Sequence, residues 1–395
     1  MQRQKILSPR FMIAFIAFMN MFVPLSTDMY LPALPEMGAY FNAAQSLVSL
    51  TLTLFFFFFA VSMVMFGPLS DKYGRRAVLL AGAALYTLSS LACALAPNIY
   101  FLIVGRVVEA IGAGAIITVS TALIKDSFRG SLMKKILAVT QALGVIAPMA
   151  APLIGGFLLT FTSWRGSFVV LTVLGLVNLG LAYLLTETLP PEKRYQGKVI
   201  HSLSLLLEFG RRKSFMMLLL VFACFSAPFM AYLNLSSFIY IENFGLSAQT
   251  YSYFFAVNSA VSVMGPFLYL RLSRRLSRFT LTNFCFGGAL LSGLAVLNLG
   301  HFGAIAFLFS FVPFTILNSV TRPFSMNWLL GETKDNVGTA SAVINFVQTF
   351  FGSLGMMAGS LPWPDFIDGL GIIMMTALAV SFLLWQRVKR YYDSV

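Results

Sequence analysis

Twelve apolar stretches of about 20 residues recur along this chain, and their recurrence limits its fold more than any other feature. They begin near Phe11, Leu47, Ala77, Ile99, Ile136, Ser167, Phe215, Thr250, Thr280, Phe302, Gly338 and Asp368. A helix of about 20 apolar residues crosses the ~30 Å hydrocarbon layer of a bilayer. Hydrocarbon offers the backbone no partners, so each stretch must satisfy its own hydrogen bonds as a helix. The expected fold class is an all-α integral membrane protein with 12 transmembrane helices. Composition agrees: 58% of residues are hydrophobic and 10% charged, against roughly 45–50% apolar usage in soluble domains. The N-terminal MQRQKILSPRFMIAFIAFMNMFVPL starts basic, as a signal peptide does. Its apolar run continues to Ser26, Thr27 and Asp28 without a small-residue cleavage site, so it reads as a retained first helix.

The polar segment at 187–213, ETLPPEKRYQGKVIHSLSLLLEFGRRK, parts the first six stretches from the last six. The expected domains are an N-terminal six-helix bundle at 1–187, a cytoplasmic linker at 188–213 and a C-terminal six-helix bundle at 214–395. Within the linker, VIHSLSLLLEF at 199–209 reads as a short amphipathic segment at the membrane surface. If both termini and every second loop are cytoplasmic, all but two of the 27 Lys and Arg fall on that side, as the positive-inside rule requires. Arg322 is counted there, in the loop before the eleventh helix, and the two left over are Arg106 and Arg165. The net charge of +13 therefore reports topology and contact with anionic membrane lipid, and no nucleic-acid partner is expected.

Several chemistries find no footing. Cys93, Cys224 and Cys285 lie in apolar stretches, while His201 and His301 fall in the linker and an outer loop, so neither a disulfide framework nor zinc spacing is present. No GxxxxGK[ST], GxSxG or HExxH occurs. The chain is expected to be no enzyme and to need no metal or cofactor, with its work drawn from an ion gradient. A membrane enzyme or scaffold without transport is the competing class, and it would show no substrate flux.

A charged side chain at the middle of a membrane helix costs about 2.5–3.5 kcal/mol on insertion scales, so one that persists lines a polar cavity or is paired. Asp28, Arg106 and Glu109 are the charges read as lying within helices. Arg106 and Glu109 are three residues apart and share a helix face; they either take part in proton coupling or neutralise each other. Asp28 is either the proton carrier or a solvated helix end near Pro32 and Pro35. The intramembrane Asn234, Asn258 and Asn345, with Tyr30 and Tyr232, are candidates for hydrogen bonds to a small-molecule substrate, or for bonds between helices. FFFFF at 55–59 wraps all sides of its helix, so most of its rings face lipid or neighbours.

The halves echo each other: GPLSDKYGRR at 67–76 follows the second helix, and GPFLYLRLSRR at 265–275 follows the eighth. Two six-helix repeats in one chain resemble the major facilitator layout, which implies a substrate site near the midplane. GPLSDKYGRR itself resembles that superfamily's signature loop between helices 2 and 3. The resemblance implies a conformational latch of Gly67, Asp71, Gly74, Arg75 and Arg76, with Asp71 facing the N-terminus of helix 11 near Gly338. RVVEAIGAGA from Arg106 resembles the helix 4 motif of proton-coupled members, although Glu109 stands where most carry a neutral amide. GVIAPMAAPLIGG at 144–156 resembles the helix 5 signature of antiporters, which implies roles for Gly144, Pro148, Pro152 and Gly156, spaced four apart along one smooth face. SWRGSF from Ser163 matches the motif that often follows it. STDMYLPALP at 26–35 resembles the end of helix 1 in Bcr/CflA-type exporters among the twelve-helix drug:proton antiporters.

In some of those exporters an acid precedes the Asp28 position by eight residues. Asn20 stands there in this chain, so Asp28 is left as the main coupling acid and Asn20 joins the substrate-contact candidates. The implied function is proton-coupled export of small lipophilic drugs, chloramphenicol-like compounds among them, by alternating access. The implied setting is the bacterial inner membrane, with both termini cytoplasmic and the chain working as a monomer of two bundles. A dedicated metabolite transporter on the same fold is the alternative.

Overall fold

The computed structural model describes residues 8–197, 210–333 and 337–393; the amphipathic segment expected at 199–209 lies outside the described residues. The described chain is helical throughout, in the order the apolar stretches predict. The helices are α1 (segments Pro9–Asn20, Phe22–Asp28 and Leu34–Phe41), α2 (Gln45–Tyr73), α3 (Arg75–Ala94), α4 (Ile99–Ser127), α5 (Gly130–Leu158) and α6 (Arg165–Leu184). They continue as α7 (Lys213–Ala223, Ser226–Ser237 and a π turn Phe238–Asn243), α8 (Ala248–Ser262 and Met264–Leu272), α9 (Arg278–Leu299), α10 (Ala304–Gly331), α11 (Val337–Gly359) and α12 (Phe366–Asp393). Among the described residues eleven are long and apolar enough to cross a membrane; α5 contributes the shorter apolar piece Ile146–Leu158.

Several helices start where a side chain satisfies an orphan backbone N–H group. Asn98 accepts from the Phe101 N–H at 2.9 Å, while Ser247 and Ser277 accept from Thr250 and Thr280 at 3.1 Å. Breaks fall mainly at proline-rich or irregular points. The α1 chain passes Pro32 in a 3-10 turn, Leu31–Ala33, and resumes as a helix at Leu34 with Pro35 in its first turn. A proline removes a helix hydrogen bond and crowds the preceding turn, so the break lies immediately beyond Asp28.

Contacts divide the chain into two compact units, Met1–Ala43 with Leu54–Ser204, and Ala44–Thr53 with Leu205–Val395. In the first, α3 packs along α4 and α6, and a core of Met12, Phe15, Met19, Phe22, Phe55, Tyr86, Ile116 and Val119 fills the centre. Lipid is as apolar as leucine, so close backbone approach replaces the hydrophobic drive between membrane helices. At Gly112 an added Cβ would stand 2.6 Å from the Tyr86 nitrogen, and at Gly155 it would collide with the Met29 carbonyl of α1.

In the second unit α7 packs along α11, and α9 along α10 and α12. Tyr232 stacks on Phe311 with ring centroids 4.1 Å apart. A Cβ on Gly355 of α11 would collide with the Ala227 carbonyl of α7. The fifth helix of each unit thus meets that unit's first helix at a glycine.

Candidate functional site: a buried charge cluster in the first unit

Arg106 and Glu109 are both 0% exposed, and the Arg106 Nη1 donates to the Glu109 Oε2 at 2.7 Å. One helical turn separates them on α4, so a single rotamer choice closes the pair. Ser90 of α3 donates to the Glu109 Oε1 at 3.1 Å, and the Cys93 thiol lies 3.9 Å from Oε2. The Arg106 Nε and Nη2 meet no hydrogen-bond acceptor among the described residues. Its guanidinium instead lies 4.2 Å from the Phe55 ring centroid and 4.7 Å from that of Tyr30, with Phe168 at 5.7 Å. Aromatic faces attract a desolvated cation by up to about 2 kcal/mol, and they offset part of the missing solvation here. Close by in sequence and core, the Ser26 hydroxyl and the Tyr86 OH lie 2.6 Å apart.

Asp28 has a different setting. It is 4% exposed and accepts a hydrogen bond from the Thr27 hydroxyl at 2.8 Å. No Lys, Arg or His among the described residues lies within ion-pair distance of it. It ends the segment Phe22–Asp28, where helix carbonyls present the negative pole of the dipole. Ionised, it carries a charge that neither a cation nor the dipole offsets. The structure places Asp28 outside the Arg106–Glu109 pair, so of these two buried carboxylates Glu109 is ion-paired and Asp28, among the described residues, is not.

The other candidates divide into bonded and open positions. The Asn20 amide donates to the Ile16 carbonyl and to Ser120 of α4. Asn234 donates to the Met356 carbonyl and to Ser360, and Asn258 accepts from Thr315 at 2.8 Å. These three amides therefore tie helices together. Tyr30 and Tyr232 are buried against rings, and Asn345 is exposed on α11. On α5, Pro152 and Gly156 are buried and Pro148 half-buried, while Gly144 is exposed with nothing within 4 Å of an added Cβ.

The GPLSDKYGRR loop is more tightly bonded than its sequence suggests. Gly74 adopts φ +99°, a conformation L side chains rarely take, and caps α3. Arg75 pairs with Asp71 at 2.5 Å and with Asp126 at the end of α4 at 2.9 Å. The Glu187 carboxylate accepts from the backbone N–H of Arg75 and Arg76, and the Arg76 guanidinium donates to the Tyr183 carbonyl. Gly67 is half-buried in α2.

Sequence reasoning missed Glu187, Asp126, Ser90 and the ring cage of Arg106, because each acts from a distant stretch. It also misplaced Arg322. That residue lies inside α10, nine positions before its end at Gly331, and not in a loop; the lone positive charge near the apolar-run boundary was absorbed into the count of inside charges.

A family model described as Major Facilitator Superfamily matches residues 12–356. The chain is similar to an MFS-type transporter of Bacillus subtilis, YdgK, at 30% identity over 87% of this chain and 86% of that one. It is similar to a bicyclomycin resistance protein homolog of Haemophilus influenzae at 25% identity, covering 95% and 96% of the two chains. Among solved structures, the partially occluded inward-open xylose transporter XylE of E. coli superposes with a TM-score of 0.73 at 13% identity over 95% of this chain and 96% of that one, a likeness of fold.

Proposed function

The chain belongs to the Major Facilitator Superfamily, and from that premise we propose that it is a proton-coupled exporter of small lipophilic drugs, a drug:proton antiporter working by alternating access. The observation that carries the reading is Asp28, a carboxyl buried in a membrane helix beside Thr27 with no ion-pair partner among the described residues. An acid in that position exchanges an uncompensated charge for a neutral group each time it binds a proton. Resistance-named kinship with the Haemophilus protein supports drugs as the substrates.

In this reading Asp28 carries the proton and competes with substrate, and Arg106 with Glu109 holds the neighbouring charge field fixed. Asp71 and the Arg75 network form the latch, and the α5 row of Gly144, Pro148, Pro152 and Gly156 is a sliding face. Domains of six helices at 1–187 and 214–395 work as the two moving bundles of a monomer in the bacterial inner membrane, with both termini cytoplasmic. A neutral drug exchanged for one proton moves one net charge, so a membrane potential adds ~2.3 kcal/mol per 100 mV to the drive from the pH gradient.

Expression in a drug-hypersensitive bacterium lacking its own exporters tests the proposal. Raised tolerance to several unrelated compounds, chloramphenicol and bicyclomycin among them, with the gain abolished by a protonophore, is the expected result. No gain for any drug would overturn drug export and leave a dedicated metabolite carrier on this fold.

A further inference from the structure

Arg322 stands about 13 Å along the helix axis from the end of α10, at ~1.5 Å per residue, within a 28-residue crossing segment. It is exposed, and the side of the helix it occupies shows to what. Ile305, Phe309, Ile316 and Pro323 follow one another at spacings of four and seven, the first two strongly exposed and the others half-exposed. They form the stripe that faces lipid. Arg322 lies about 100° around the helix from Pro323, away from that stripe.

It belongs to a second row, Thr315, Asn318, Arg322 and Ser325, whose other members are buried. Thr315 donates to Asn258 of α8, and Ser325 accepts from Gln348 of α11 at 3.4 Å. The guanidinium lies 5.9 Å from the Phe229 ring of α7. Among the described residues it forms no ion pair and no hydrogen bond. Nor do the described residues of the second unit offer a carboxylate within the membrane. The described acids beyond Lys213 are Glu242, Glu332, Asp365, Asp368 and Asp393, all at helix ends or between helices. A membrane-embedded cation off the lipid face, without a protein partner, faces water.

We propose that Arg322 is an anion-recognition residue for substrate, and that the compounds carried include lipophilic organic acids whose carboxylate docks on it. The proposal rests on the export reading above and narrows its substrate class. The planar guanidinium matches a carboxylate with two parallel hydrogen bonds, Gln348 and Ser325 supply a polar margin, and Phe229 offers a ring to the apolar body. Export of such an anion against one entering proton would move two charges per cycle in place of one.

The test uses fluorescein and rhodamine 6G, an anion and a cation built on the same xanthene body, with purified full-length protein in detergent. Fluorescence polarisation of wild type, Arg322→Gln and Arg322→Lys reads binding. Loss of a charge-assisted contact should weaken fluorescein binding about tenfold or more in the Gln variant, while the Lys variant keeps most of it. Rhodamine 6G affinity should be the same in all three. Unchanged fluorescein affinity in Arg322→Gln, an equal fall for both dyes, or no fluorescein binding by wild type would overturn the proposal. Flux of fluorescein from proteoliposomes is measured in parallel: Arg322-dependent binding without any flux would sustain the anion site and contradict export.

Discussion

Arg106 and Glu109 present the sharpest choice at the scale of single residues. Removing one member of a buried ion pair leaves an uncompensated charge and costs about 3–5 kcal/mol, whereas replacing both by apolar side chains is often neutral. Glu109→Ala should therefore lower the thermal unfolding midpoint of the detergent-purified protein markedly. The double variant Arg106→Met with Glu109→Leu should unfold near the wild-type temperature. Transport then separates the two readings of the pair: a double variant that is stable yet inactive gives the charges a part in coupling, and one that still transports leaves them as mutual neutralisation. This pair was legible in the sequence because a helix places residues three apart on one face. Its surroundings were not, since Phe55, Ser90 and Phe168 come from three other helices, and nothing in their own stretches marks them.

Between helices, packing turns on single glycines. Gly155→Val would drive a side chain into the Met29 carbonyl, and Gly355→Val into that of Ala227; backbone cannot yield as a flexible side chain can. Both should lower the unfolding midpoint and the yield of monodisperse protein, while Gly144→Ala, with open space around it, should leave stability unchanged. Export by Gly144→Ala then tests the sliding face apart from folding. At the loop before α3, Glu187→Ala strips acceptors from the Arg75 and Arg76 N–H groups, which should cost about 1–3 kcal/mol and show as a lower unfolding midpoint. The helices themselves were readable because twenty apolar residues admit few alternatives in a bilayer. The sequence pointed to the smooth row at Gly144 and Gly156, but the tightest approach is next door at Gly155, because which side of a helix meets a neighbour depends on the rotation of both. Arg322 shows the same limit in reverse: counting charges by loop absorbed it into an inside segment, and only the described end of α10 returned it to the membrane.

For the whole molecule, the reading joins one unpaired acid to a transport cycle. With a neutral drug the exchange should be electrogenic, so drug uptake into proteoliposomes should quicken when a potassium diffusion potential favours proton exit and slow when it is reversed. Protein in liposomes holding a pH-sensitive dye, given chloramphenicol outside, tests the central claim most directly when wild type is set beside Asp28→Asn. The account predicts drug-dependent proton movement in wild type and none in the variant. Proton movement that persists in Asp28→Asn would contradict it.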